Sequence, residues 1–355
     1  MDRNIWGKSE NGQEVYRVTI KSVGGVSAVI TNIGATITEL WVPCGDGNRD
    51  IMLGYGSPEE YFHNGPNLGA PVGRYANRIA GAEFSIGGNT YHLDANNNGN
   101  CLHSGGNSWC RQVWDITEES DDSVTFHLFS PDGDQHFPGN LDLWITYSLT
   151  SDNALVIDYH AKCDKDTAYA PTQHSYFNLM GHNAGDAMGT FLEIYADRLT
   201  YADEFNIPDG RYIDLTGSPL DFRQEHAISE RIDADDEQLR FGGGYDHNYV
   251  LNKDASLRAP EYDFHGNESY HAGRAVSPDR KVTMDVYTDL PGMQLYTANG
   301  LNDSEIGKDG KPYGRRFAFC LETQYYPNAI NVPEFPQPVI RAGEDNYTRT
   351  VYKFS

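Results

Sequence analysis

"SVTFHLFSPDGDQHFPGNLDLWITYSLTSDNALVIDYHA", residues 123–161, carries three runs in which apolar and polar side chains alternate. In the first, Val124, Phe126 and Leu128 alternate with Thr125, His127 and Phe129. In the second, Leu143, Ile145, Tyr147 and Leu149 share one face, and in the third Leu155, Ile157 and Tyr159 do. A period of two is what a half-buried strand requires, because successive side chains point to opposite faces of a sheet. "SPDGD" and "TSDN" part the runs with residues that tolerate tight-turn backbone geometry. The stretch reads as antiparallel strands joined by turns.

The same signal recurs elsewhere. "KVTMDVYTDL" (281–290) places Val282, Met284 and Val286 together, and 23 tyrosines with 15 phenylalanines suit pleated, partly buried surfaces. "SPEEYFHNG" (57–65) and "EHAISERIDADDEQLR" (225–240) have room for short helices only. No strand–helix alternation supports a parallel, doubly wound sheet. Residues 251–280, "LNKDASLRAPEYDFHGNESYHAGRAVSPDR", are the least patterned and read as a long surface excursion with irregular strands. Neither a linker, a composition break nor a repeat divides the chain. The expectation is an all-β fold, one large antiparallel sandwich forming a single domain over residues 1–355.

Lys and Arg number 27 against 51 Asp and Glu, a formal net charge of −24. Such an excess of carboxylates repels nucleic acid and anionic membrane, so neither is expected as a partner. It also weighs against a strongly anionic substrate and favours a neutral small molecule. The first twenty residues show neither a basic n-region nor an apolar h-region, and no window approaches the roughly 18 apolar residues of a membrane span. The five cysteines (Cys44, Cys101, Cys110, Cys163, Cys320) are odd in number and scattered. Reduced thiols in a cytoplasmic protein are therefore expected, with Cys101–Cys110 the one pair whose spacing leaves a bridge open.

Three kinds of chemistry find little support. "GGGYD" (242–246) is glycine-rich but lacks the Lys-Ser/Thr and the βαβ setting of a phosphate cradle. "HGNESYH" (265–271) and the pair His174/His182 match no helical or hairpin metal-ligand spacing, although ligands assembled from distant strands stay possible. No G-x-S-x-G elbow is present. What remains is a set of polar residues in aromatic or glycine-rich context. Glu322 follows the apolar run "FAFCL"; a carboxylate there is either partly desolvated, raising its pKa toward that of a useful base, or it sits on a strand's solvent face. His174, before "SYFNL", is either a packed core histidine or a proton carrier. Arg78 is a structural ion-pair partner or a hydroxyl clamp.

Taken in order, "GRYANRI" (73–79), "LHSGG" (102–106), "QHSYFNL" (173–179), "YDHNYVL" (245–251) and "FCLETQYYPNAINVPEFP" (319–336) resemble the aldose 1-epimerase (galactose mutarotase) family. "NIGATITELWVP" (32–43) and "IPDGRYIDLTGSPLDFR" (207–223) extend the likeness over nearly the whole chain. The resemblance implies a β-supersandwich and interconversion of the α and β anomers of free aldohexoses, with no metal and no organic cofactor. It implies Glu322 as base, His174 as acid, and His103 as a second active-site histidine near the ring oxygen. Arg78, Asn77, Asp246 and Gln294 would then be ligands of sugar hydroxyls, in a monomer or a homodimer. Ser104 intervenes where the family more often has Gly-Gly directly after its first histidine. Ala170, Pro171, Gln173 and Asn328 also depart from the usual residues, which puts the preferred sugar in question. Opening a cyclic hemiacetal needs one proton taken from the C1 hydroxyl and one given to the ring oxygen, so a carboxylate and an imidazolium suffice. A catalytically silent sugar-binding protein and a hexose-6-phosphate epimerase are the alternatives on the same fold.

Overall fold

The computed structural model describes residues 2–45 and 47–355. The three alternating runs become neighbouring antiparallel strands, Ser123–Ser130, Leu141–Leu149 and Ala154–Cys163. Their register sets Phe126 opposite Ile145 and Ile145 opposite Tyr159, so the apolar residues fall into rows across the sheet. Leu141–Leu149 alternates buried and half-buried residues along its full length. Each large apolar side chain so removed from water contributes about 1.5–3 kcal/mol, which is why this face fixes the register. A slip of one residue would turn every one of them outward.

These strands belong to a nine-stranded sheet whose middle position is taken by Asp345–Phe354, near the end of the chain. That strand pairs with Ala154–Cys163 on one side and Thr283–Thr288 on the other. The weakly patterned stretch 251–280 is more ordered than its sequence predicts. Two 3₁₀ turns, Ala255–Leu257 and Pro260–Tyr262, lead into Tyr270–Val276, a full member of the same sheet. A register shift between His271 and Gly273 breaks the period of two, and that bulge hides the strand from a pattern reading.

A second sheet has five strands in the order Pro208–Asp214, Ala196–Ala202, Asp246–Leu251, Gly292–Tyr296 and Cys320–Gln324. Its two faces differ. Tyr249, Met293, Leu295 and Leu321 join the main core with Tyr352 and Tyr159 of the nine-stranded sheet, and the Tyr352 hydroxyl donates to the Leu321 carbonyl at 2.8 Å. The opposite face is polar and carries the cleft described below. A third sheet, also of five strands, is built from residues 2–50. All strand pairs named here are antiparallel, as an all-β sandwich requires.

The only α-helices among the described residues are two short ones, Pro58–Tyr61 and Glu237–Gly242, inside the two stretches expected to hold them. The Asp236 carboxylate accepts from the backbone of Gln238 and Leu239 at the start of the second, and Gly243, at φ 65°, ends it. All five cysteines are buried and free, so Cys101 and Cys110 are not bridged. No helix among the described residues is long and apolar enough to cross a membrane.

Candidate active site

The polar face of the five-stranded sheet owes its character to register. Directly opposed residues share a face, and pairing sets Asp246 opposite Tyr296 and Tyr296 opposite Cys320. The next row on that face is Asn248, Gln294 and Glu322. Thr172–His174, paired with Ala70–Val72, runs across this face and lowers His174 onto it. Two loops close the cleft. Residues 73–78 bring Asn77 and Arg78, and residues 102–106 bring His103. The result is a cavity of about 190 Å³ lined by Asn77, Arg78, His103, His174, Asp246 and Glu322, all singled out by sequence, together with Asn67, Tyr176 and Tyr296.

Glu322 and His174 meet inside it. Glu322 Oε2 lies 3.7 Å from His174 Nε2, and their side chains are only 3% and 6% exposed. Oε2 has no hydrogen-bond partner of its own. Burial, reinforced by Asp246 and opposed by Arg78, pushes the Glu322 carboxyl well above its ordinary range. Burial likewise pushes His174 down to about 4. Both shifts favour the neutral pair, a carboxylic acid beside an uncharged imidazole. Low-dielectric surroundings disfavour separated charges, which gives the two shifts their opposite directions.

His103 is held differently. Its backbone N–H donates to the Asn77 carbonyl at 2.9 Å, and its Nδ1 accepts from the Asn77 backbone N–H at 3.1 Å. The acceptor role of Nδ1 places the ring proton on Nε2. Burial, with His174 and Arg78 adding to it, holds His103 well below the ordinary histidine range. His103 is a neutral hydrogen-bond donor. Its ring meets that of His174 edge-on with centroids 5.4 Å apart, while Tyr176 stacks on His174 at 4.9 Å.

Arg78 and Asp246 face each other across the cleft at 3.9 Å, too long for a full hydrogen bond. Arg78 also reaches Asn97 Oδ1 at 3.3 Å and Asn77 Oδ1 at 3.4 Å. Gln294 behaves otherwise than expected. It does not line the cavity; it sits buried behind Asp246 and donates to its Oδ1 at 2.7 Å. Its role here is to aim Asp246, because it occupies the neighbouring strand one row deeper on the same face.

A family model described as aldose 1-epimerase matches residues 16–353. The chain belongs to the aldose 1-epimerase family. It is 35% identical to the aldose 1-epimerase of Escherichia coli K12 over 97% of this chain and 96% of that one. It is 35% identical to the galactose mutarotase of Rattus norvegicus over 99% and 98%. Among solved structures, an aldose epimerase homologue from C. elegans superposes with a TM-score of 0.86 at 28% identity, covering 96% of this chain and 98% of that one. A galactose 1-epimerase from Lactobacillus acidophilus does so with a TM-score of 0.85 at 26% identity, over 100% and 98%. The chain is therefore an isomerase, of the kind that interconverts the α and β anomers of aldoses.

The positions at which this epimerase departs from family habit turn out to be scaffold. Ser104, left-handed at φ 66°, accepts from the Tyr75 backbone N–H at 2.7 Å and donates to the Tyr75 carbonyl at 3.0 Å, tying the His103 loop to the Arg78 loop. Gln173 points away from the cleft: its Oε1 accepts from Tyr147 at 3.0 Å and its amide donates to the Gly69 carbonyl at 2.6 Å. Asn328 accepts from the Ala80 N–H at 3.0 Å, and its own N–H donates to the Arg78 carbonyl at 2.7 Å. Ala170 and Pro171 line nothing in the cavity. Asn67, Tyr176 and Tyr296, which sequence reasoning missed, line the cavity instead. Tyr176 was findable: two residues after His174 in "HSY", it faces the same side.

The histidines once weighed as metal ligands scatter. His182 Nδ1 is 3.0 Å from the Tyr313 hydroxyl, His265 stacks on Tyr347, and His271 pairs with Asp285. Arg74, fully buried in the same loop as Arg78, donates to the carbonyls of Ser130, Pro131 and Pro138 at 2.7–3.1 Å. It fastens that loop to the nine-stranded sheet.

Proposed function

We propose that this epimerase acts on free aldohexoses such as galactose and glucose, with Glu322 and His174 moving the two protons of ring opening and closing. The observation that carries this is the buried Glu322–His174 pair, 3.7 Å apart, with Oε2 unpartnered and both residues lining the cleft. A bound pyranose supplies hydrogen bonds that offset burial of the charged forms. Its C1 hydroxyl donates to Glu322, stabilising the carboxylate, and its ring oxygen accepts from His174, stabilising the imidazolium. With His174 protonated and Glu322 ionised, opening proceeds: Glu322 takes the C1 proton as His174 protonates the ring oxygen. What is left is a carboxylic acid beside a neutral imidazole, the form that burial favours. Rotation about C1–C2 exposes the other face of the aldehyde. Glu322 returns its proton to the carbonyl oxygen while His174 takes the C5 hydroxyl proton, and the opposite anomer closes. Each direction uses one of the two forms of the pair.

His103 offers its Nε2–H to the ring-oxygen side, while Arg78, Asn77 and Asp246 hold the remaining hydroxyls so that the reacting atoms align. Tyr176 and Tyr296 offer the aromatic wall that a pyranose packs against. A phosphorylated sugar is disfavoured, because Arg78 is the sole cation among the lining residues and it already faces Asp246. A silent binding protein is disfavoured by the intact proton-transfer pair. Five unbridged cysteines support work in a reducing compartment, the cytoplasm. A site lined within one chain suits a monomer or a homodimer.

Polarimetry on freshly dissolved α-D-galactose tests the reading. The expected result is an approach to anomeric equilibrium faster than buffer alone, in proportion to added protein. Decay at the buffer rate on both galactose and glucose would overturn it.

A further inference from the structure

Cys320 is the buried side chain beside the proton-transfer pair that the reaction leaves unused. It stands two residues before Glu322 on the same strand, so both side chains leave the same face. Its Sγ lies 3.7 Å from His174 Nδ1, on the side of the ring away from Glu322. One nitrogen of His174, the Cys320 sulfur and one Glu322 oxygen all lie within 4.8 Å of one another, and all three residues are buried. Glu322 Oε2, 2% exposed as a residue and without a partner, is aimed into this cluster.

We propose that His174, Cys320 and Glu322 form an inhibitory site for a divalent cation of borderline softness, with Zn²⁺ the best match, reached through the sugar cleft. Tetrahedral zinc binds sulfur at about 2.3 Å and nitrogen or oxygen at about 2.0–2.2 Å, which sets neighbouring donors roughly 3.5 Å apart. The sulfur–nitrogen contact of 3.7 Å already meets that spacing. Only one His174 nitrogen can bind, so small side-chain rotations bring the third donor in. Binding releases the Cys320 thiol proton and the Glu322 carboxyl proton to solvent; the resulting thiolate, carboxylate and neutral imidazole sum to −2, which a dication cancels, and a buried anion that is costly alone becomes favourable beside it. Three protein donors would leave one tetrahedral position for water. Mg²⁺ and Ca²⁺ call for six or more oxygen donors and are not expected here. The sulfur is what selects zinc-like ions.

Because the cation occupies the proton-transfer pair, it must exclude the sugar. That competition rests on the functional reading above, whereas binding itself does not. The test begins with the chelator-treated full-length chain titrated with Co²⁺, whose ligation by a thiolate gives a near-ultraviolet sulfur-to-metal band. The expected result is saturation at one ion per chain, displacement by Zn²⁺, and loss of the band in Cys320→Ser but not in Cys101→Ser. In mutarotation assays Zn²⁺ should raise KM without lowering kcat, be reversed by chelator, and act at tenfold or higher concentration on Cys320→Ser. Absence of the band at saturating Co²⁺ in the unmodified chain overturns the proposal, as does a band that survives in Cys320→Ser. The spectrum of the unmodified chain needs no variant to fold. A chain that shows the band yet leaves α-D-galactose at the buffer rate would refute the sugar reading and keep the metal site.

Discussion

Glu322 costs the fold something that its chemistry requires. Its carboxyl is raised by burial, so above the unfolded value of 4.5 the unfolded chain ionises while the native chain resists. The stability it contributes is present below that value and lost as pH rises toward its folded one. Glu322→Gln keeps shape and removes ionisation. It should cut kcat by about 10²–10⁴, the range for a positioned base, while raising stability at pH 8 by on the order of 1 kcal/mol. Calorimetry should show the two proteins converging near pH 4; a variant less stable at pH 8 would contradict the burial account. His174 has the opposite sign. Its proton affinity is lowered to about 4, so the pair gains a second, blocking proton only near that pH. The kcat/KM profile should hold level through pH 6 and fall near pH 4, and a fall centred on 6.5 would show an exposed, ordinary histidine. His174→Asn should depress kcat strongly. The residues themselves left these two positions open, and only the family resemblance of "FCLETQ" and "QHSYFNL" singled them out. The direction of their pKa shifts was not legible in sequence, since it depends on what covers them.

At the scale of strands and loops, sequence shows period but not neighbours. The alternation in 123–161 maps onto strands almost residue for residue, because there one face is apolar and the other polar. In "DHNYV", "GMQLY" and "CLETQ" both faces are buried, one on the core and one on the cleft, so the alternation is polar against apolar without a solvent side. Register then decides what the pattern cannot: Gln294 falls one row behind Asp246 and supports it, while Tyr296 falls in its row and lines the cleft. The same logic governs Ser104. Its hydroxyl joins two loops that meet only in the fold, and Ser104→Ala removes both bonds to Tyr75. Buried groups left unpaired cost about 1–3 kcal/mol each, and the slack would fall on His103 and Arg78. The expected outcome is a KM for galactose raised about tenfold, one such bond's worth, with a smaller change in kcat. An unchanged KM would return Ser104 to a passive role.

Across the whole molecule, the cleft depends on pieces far apart in sequence: loops near residues 77 and 103, a strand at 174, and sheet strands at 246 and 322. We propose that the chain folds as a single unit, and the place of its last strand is what supports this. The strand Asp345–Phe354 is the central member of the nine-stranded sheet, bonded on both edges, and Tyr352 reaches the strand that carries Glu322. By contrast Asp2–Lys8 is an edge strand, paired only with Glu14–Lys21 and largely exposed. The core therefore cannot close before the last strand arrives, and folding is expected to be one cooperative event dominated by long-range pairing. Removing residues 345–355 should leave a chain without a thermal transition and without mutarotation. Removing residues 2–8 should lower Tm modestly and leave the rate on galactose within about twofold, since surface edges away from a site rarely exceed ±0.5 kcal/mol. Two separate calorimetric transitions in the intact chain, or a folded product after the C-terminal deletion, would show that the sandwich is divided. The C-terminal strand would then be an addition to a fold completed earlier in the chain, and the strand at Glu322 would owe its position to the five-stranded sheet alone.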